Sequence, residues 1–131
     1  MKLKHIIEAK DPIVRLTEKR FSDYKKLREI VKLRKAVEAE FDFYAEQEKK
    51  AVDDYAEKKQ DGTPVFLDDG RIKLKDVQAK ETFDAEIKKL LDTEVSDLPG
   101  ISIKESDFHS AEDLPTPSDM LILENIITFE D

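Results

Sequence analysis

Apolar residues recur every three or four positions over most of the chain, and the places where that rhythm breaks divide it into elements. From Ser22 to Lys59 there is neither Gly nor Pro. Within that stretch Ile30, Leu33, Val37, Phe41, Tyr44, Ala51, Val52 and Tyr55 keep to steps of three and four, apart from a gap around Glu48. Phe21, Tyr24, Leu27 and Val31 extend the stripe upstream. A seam this narrow predicts one long amphipathic helix of about 38 residues, about 57 Å from end to end. Glu46–Lys50 and Asp54–Lys58 set an acid four residues ahead of a base, which supports it. Further upstream, Asp11 reads as an N-cap with Pro12 at the first helical position, so a helical arm is expected over 12–59. A helix of that length needs a partner along its seam, as in a coiled coil. Residues 1–10 fit a short helix or an extended segment equally well.

Gln60-Asp61-Gly62-Thr63-Pro64 ends the arm. The next stretch, VFLDDGRIKLK, reads as a β-hairpin over 64–75 with Asp69-Gly70 as a two-residue turn. That register sets Asp68 opposite Arg71, Leu67 opposite Ile72 and Val65 opposite Leu74, and gives one wholly apolar face. Asp76 then caps a helix over 77–95, with Val77, Phe83, Ile87, Leu90, Leu91 and Val95 on its seam. Leu98-Pro99-Gly100 closes it, and Ile101 with Ile103 alternates like a short strand, 101–103. Thr116-Pro117-Ser118-Asp119 is a capping sequence that opens a helix over 117–129. Apolar on most sides, that helix is expected to be buried or docked. The expected fold is mainly α with a small β part, in a single domain spanning 1–131. A long helix and an antiparallel partner helix are joined by the β-hairpin, with a short strand and a docked C-terminal helix added.

Composition sharpens this picture. At 41% charged and 39% hydrophobic residues, the chain suits long helices with solvated faces and a thin apolar seam. The regular spacing of its seven Phe, three Tyr and many aliphatic residues argues against disorder. There is no Cys, which removes disulfides, thiolate catalysis and Cys-ligated zinc together. The start, MKLKHIIEAK, turns polar after Ile7 and so lacks the apolar region of a signal peptide, and no apolar run is long enough to span a bilayer. A soluble protein of the bacterial cytoplasm is expected. Charge is unevenly spread. Residues 1–35 hold 12 basic against 5 acidic side chains, a net of +7, whereas residues 92–131 hold Lys104 against 11 acids, a net of −10. The simpler expectation is that the two segments become neighbours on folding. The alternative is a basic and an acidic face offered to partners.

The order of these parts resembles a family of small uncharacterised proteins encoded by phages and prophages of Gram-positive bacteria. The likeness runs from the MKLK start through the helix ending near DDYAEKKQDG, the VFLDDGRIKLKDV hairpin and FDAEIKKLLDTEV. It continues through ISI and an acidic loop to PSDMLILENII. It covers nearly the whole chain and rests on element order rather than an invariant motif. The resemblance implies a phage or prophage context, with a place in the host cell or in the particle. It implies no activity, cofactor or catalytic residue.

Chemistry is hard to find in the sequence. His5 and His109 stand about a hundred positions apart and form no metal motif. Asp53-Asp54, Asp68-Asp69 and Glu112-Asp113 are adjacent acids, yet adjacent helical residues point about 100° apart, and a turn accounts for the second pair. Gly62, Gly70 and Gly100 all fall at turns, which leaves no glycine-rich phosphate loop. A non-enzyme without cofactor, metal or small-molecule substrate is expected. In KRFSDYKKLREIVKLRK, residues 19–35, the bases wrap the helix and the aromatics lie on its apolar seam, so nucleic-acid binding ranks low for a protein of net charge −8.

The function expected is protein–protein binding, in assembly, as a chaperone or as a minor structural component. Self-association belongs to the same expectation. The candidate contact residues are Met120, Leu121, Ile126 and Ile127 on the C-terminal helix, and Phe66 on the hairpin. The rival reading is an acidic inhibitor or nucleic-acid mimic acting on a host defence or nucleic-acid enzyme.

Overall fold

A computed structural model describes residues 1–130. The fold is mainly helical with one small parallel sheet. In chain order it contains α1 (Leu3–Glu8), α2 (Lys10–Thr17), α3 (Tyr24–Tyr55), α4 (Val77–Leu91), β1 (Ser102–Lys104), α5 (Pro117–Leu123) and β2 (Thr128–Glu130), with short 3-10 turns at Glu105–Asp107 and Ala111–Asp113. The chain divides into two compact units, Met1–Asp42 with Glu94–Asp131, and Phe43–Thr93.

The first unit holds the hydrophobic core. Ile6 of α1, Ile13 and Leu16 of α2, and Ile30, Leu33 and Val37 of α3 are buried in one cluster with Ile103, Phe108, Leu123, Ile126 and Ile127. Ala9 ends α1 and begins α2, so Asp11 and Pro12 stand within the first turn of α2 rather than at its cap. Pro12 is tolerated there because first-turn N–H groups have no acceptor within the helix. The helical arm expected over 12–59 is interrupted between Thr17 and Tyr24. Phe21, expected on the seam, instead bridges to Phe108, with ring centroids 5.0 Å apart. The Ser22 N–H donates to the Asp107 carbonyl at 2.8 Å. Tyr24, also expected on the stripe, is 81% exposed. Asp23 Oδ1 accepts from the Lys25 N–H at 2.9 Å, which favours starting the helix anew at this point.

The C-terminal segment differs most from expectation. Thr116 caps α5 through its hydroxyl, which accepts from the Asp119 N–H at 3.2 Å, and Pro117 sits at the first position. The helix then stops at Leu123 instead of running to 129. The N–H groups of Ile126 and Ile127 both close on the Leu123 carbonyl, and Thr128–Glu130 pairs in parallel with Ser102–Lys104. The β-branched run Ile126-Ile127-Thr128 favours that extended exit. The strand expected at 101–103 is displaced by one residue to 102–104, with Ile103 opposite Phe129.

The basic N-terminal and acidic C-terminal segments do meet in this unit. The Arg15 guanidinium donates to both carboxylate oxygens of Asp119, at 2.8 and 2.7 Å, and the Met1 ammonium reaches Glu94 at 2.7 Å. Asp119 is only 7% exposed. Hydrogen bonding to Arg15 holds its carboxyl below the usual carboxylate range, against the opposite pull of burial. A carboxylate depressed on folding contributes stability that is complete above its unfolded-state pKa and is lost as pH falls through the folded value. Asp119→Asn should therefore lower the urea midpoint clearly at pH 7 and much less at pH 3. An equal loss at both pH values would overturn this account.

The second unit is built differently. Among the described residues it buries only small or medium side chains, Ala51, Val52 and Ala56. Helix α3 ends at Tyr55 because the next residues turn to backbone pairing. The Glu57 N–H donates to Lys73, the Lys73 N–H to Val65, and the Val65 N–H to Glu57, at 2.8–2.9 Å, which closes a ring of three segments. Isolated antiparallel bridges join Ala56 to Leu74, Lys58 to Pro64 and Phe66 to Ile72. The register is one residue off the expected one. Leu67 pairs with Arg71 rather than Ile72, through a three-residue turn Asp68-Asp69-Gly70 in which Gly70 has φ 86°. Asp69 selects that turn by accepting the Arg71 N–H at 3.0 Å and its guanidinium at 2.6 Å. A one-residue slip exchanges faces, so Phe66 joins Ile72 and Val65 leaves that face. Asp76 caps α4 as expected, accepting from the Ala79 N–H at 2.7 Å. The helix ends at Leu91 rather than 95; in the first unit the Val95 N–H is taken by the Met1 carbonyl.

Candidate functional site

Around the turn and the start of α4, the Phe43–Thr93 unit leaves an open groove of about 740 Å³. Its floor is Ile72, Leu74 and Phe83, all half-buried. Phe66, Leu67 and Val77 stand around it at 58%, 42% and 76% exposed. Local chemistry explains the placement of Phe66 and Val77. The register slip puts Phe66 beside Ile72. Val77 is the first residue after the Asp76 cap, where a helix has no preceding turn to cover it. None of the residues of α4 is buried.

The rim carries both signs of charge, with Glu48, Asp76 and Asp84 against Arg71, Lys73 and Lys80. Several of these groups are held within the unit. Lys73 pairs with Glu57 at 2.9 Å, and the Tyr44 hydroxyl donates to Glu48 at 2.6 Å. Burial, reinforced by that bond to Glu48, pushes the Tyr44 phenol up. The Tyr55 phenol is raised by its own 2.8 Å bond to Glu86. The Arg71 N–H and guanidinium hold Asp69 below the carboxylate range. The Asp69–Arg71 contacts brace the turn.

The residues singled out from sequence fall in different settings. Phe66 is on the groove. Ile126 and Ile127 are buried in the core of the first unit, which removes them from any surface contact. Met120 is half-buried, and Leu121, in the same unit, is 70% exposed as a single side chain. Phe66 and Leu121 belong to separate compact units. Sequence reasoning placed Leu67 inside the hairpin and Val77 on a packed seam, and so missed both as exposed residues. The available signal was the number of large apolar residues between 64 and 91 set against the few partners for them. Among the described residues, no three His, Asp or Glu side chains converge as metal ligands, and no helix is long and apolar enough to cross a membrane. Comparison with protein-family models, curated proteins and solved structures yields no match.

Proposed function

We propose that this protein is a non-enzymatic accessory protein, of the phage or prophage kind its sequence resembles, that acts by binding protein through the groove around Phe66. The observation that carries the reading is the exposure of Phe66, Leu67 and Val77 about one concave apolar floor. Contiguous apolar surface of this kind is costly to leave in water and is typical of a protein contact. The ring of backbone bonds at Glu57, Val65 and Lys73 joins the three segments to one another. Recognition would run through side chains entering the groove. The rival reading as an acidic decoy is weakened because several acids of the C-terminal segment are engaged internally: Glu94 with the N-terminus, Asp113 with the Arg20 N–H, and Asp119 with Arg15.

A photo-crosslinking residue placed at Phe66 in producing cells should yield a protein adduct, and the same residue at Leu121 should yield far less. Absence of any adduct at position 66 would overturn the groove as a binding face.

A further inference from the structure

Resting on the reading of this groove as a protein-binding face, we infer that its occupant is a second copy of the chain. Helix α4 packs antiparallel against α4 of that copy, about a two-fold axis that brings Lys80 of each to Asp84 of the other.

The need for an occupant comes from the unit's own composition. Residues 43–93 bury two alanines and a valine among the described residues, while Phe66, Leu67 and Val77 stand exposed and Phe83 and Ile87 are half-buried. A unit of this size is marginal even when it buries its large side chains well, and association is a common remedy.

The identity of the occupant comes from the charge pattern. Val77, Lys80, Asp84, Ile87 and Leu91 follow one another at steps of three, four, three and four, the spacing of a helix-pairing seam. The two charged members sit mid-seam, both exposed, and neither forms an ion pair with another described residue. Within one helix, base before acid at i, i+4 is the weaker order, so the pair gains little from itself. In an antiparallel contact centred near Thr82, Lys80 meets Asp84 of the other copy twice over, and Val77 meets Ile87 twice. A parallel contact would set Lys80 beside Lys80 and Asp84 beside Asp84, which is repulsive. Charged residues on such a seam are a usual means of fixing register and orientation. The groove rim, with three acids and three bases, is neutral in a chain of net charge −8. That balance suits a two-fold contact of the surface with itself, because a partner selected by charge would face a rim of one sign.

The test is sedimentation equilibrium of the purified full chain with charge-swapped variants. The parent should be dimeric at about 100 µM. Lys80→Asp and Asp84→Lys should each be about tenfold or more weaker in self-association, because each places like charges on the seam. Mixed in equal amounts, these two variants should recover the dimer, as should the double variant Lys80→Asp/Asp84→Lys. Circular dichroism of the single variants should match the parent, which separates lost association from lost folding. A monomeric parent overturns the inference, as does a dimer indifferent to the single swaps or a mixture that stays monomeric. The crosslink at position 66 then tells the two levels apart. An adduct with a different protein beside a monomeric parent would remove the second copy and keep the binding face. No adduct and a monomeric parent would remove both.

Discussion

Removal of residues 117–131 should abolish the cooperative thermal transition and leave a product that binds a hydrophobic dye. The segment contributes Leu123, Ile126 and Ile127 to the buried cluster of the first unit. Burial of each such side chain stabilises by about 1.5–3 kcal/mol, so the three together approach the whole stability of an ordinary small domain. Deletion also strips the partner strand from Ser102–Lys104 and leaves Arg15 without Asp119. Circular dichroism melts of the truncated and full chains measure the effect. A truncated chain that unfolds cooperatively at the parental midpoint would show that the segment is not core, and would make it a detachable binding peptide.

That segment also marks where the sequence could be read and where it could not. Thr116 acts through its bond to the nearby Asp119 N–H and Pro117 through its fixed φ, and the start of the helix follows from them. Its end does not, because Ile126-Ile127-Thr128 has apolar spacing compatible with a helix turn or a strand. Pairing with Ile101–Lys104, more than twenty residues away, decides the matter. The long helix shows the same division. Ile30, Leu33 and Val37 are buried as their spacing predicts, but the break before Tyr24 depends on Phe108, a residue far along the chain.

The turn at Asp68-Asp69-Gly70 is a subtler case. Glycine at position 70 with positive φ was legible, but both a two-residue and a three-residue turn accept it there. The choice rests on the Asp69 carboxylate reaching the Arg71 N–H and guanidinium. The one-residue difference transfers Phe66 to the face of Ile72. Phe66 was thus legible as a candidate, whereas its neighbours in the groove were not. Ile126 and Ile127 illustrate the converse. An apolar run reads the same in sequence whether it faces a partner or its own core.

Replacing Ile103 by Asp should unfold the first unit outright. Ile103 is the central residue of the three-residue strand β1 and is fully buried, with exposed neighbours on either side in the strand. Its side chain lies in the cluster with Leu33, Leu123 and Ile127. No basic side chain belongs to that cluster, so an introduced carboxylate would be desolvated without a partner. Such a change costs on the order of 4–5 kcal/mol or more, comparable to the total stability of a small domain. Ile103→Val keeps the β-branched shape, removes one methylene and should cost only about 0.5–1.5 kcal/mol. Leu121→Asp, at an exposed position of α5, should change stability by less than about 0.5 kcal/mol. Urea unfolding of the three variants gives the comparison directly, and amide exchange should show protection lost at Ile13, Leu33 and Ile127 in Ile103→Asp alone. If Ile103→Asp unfolds with a midpoint close to that of Leu121→Asp, the strand does not seal the core and its burial has been misassigned.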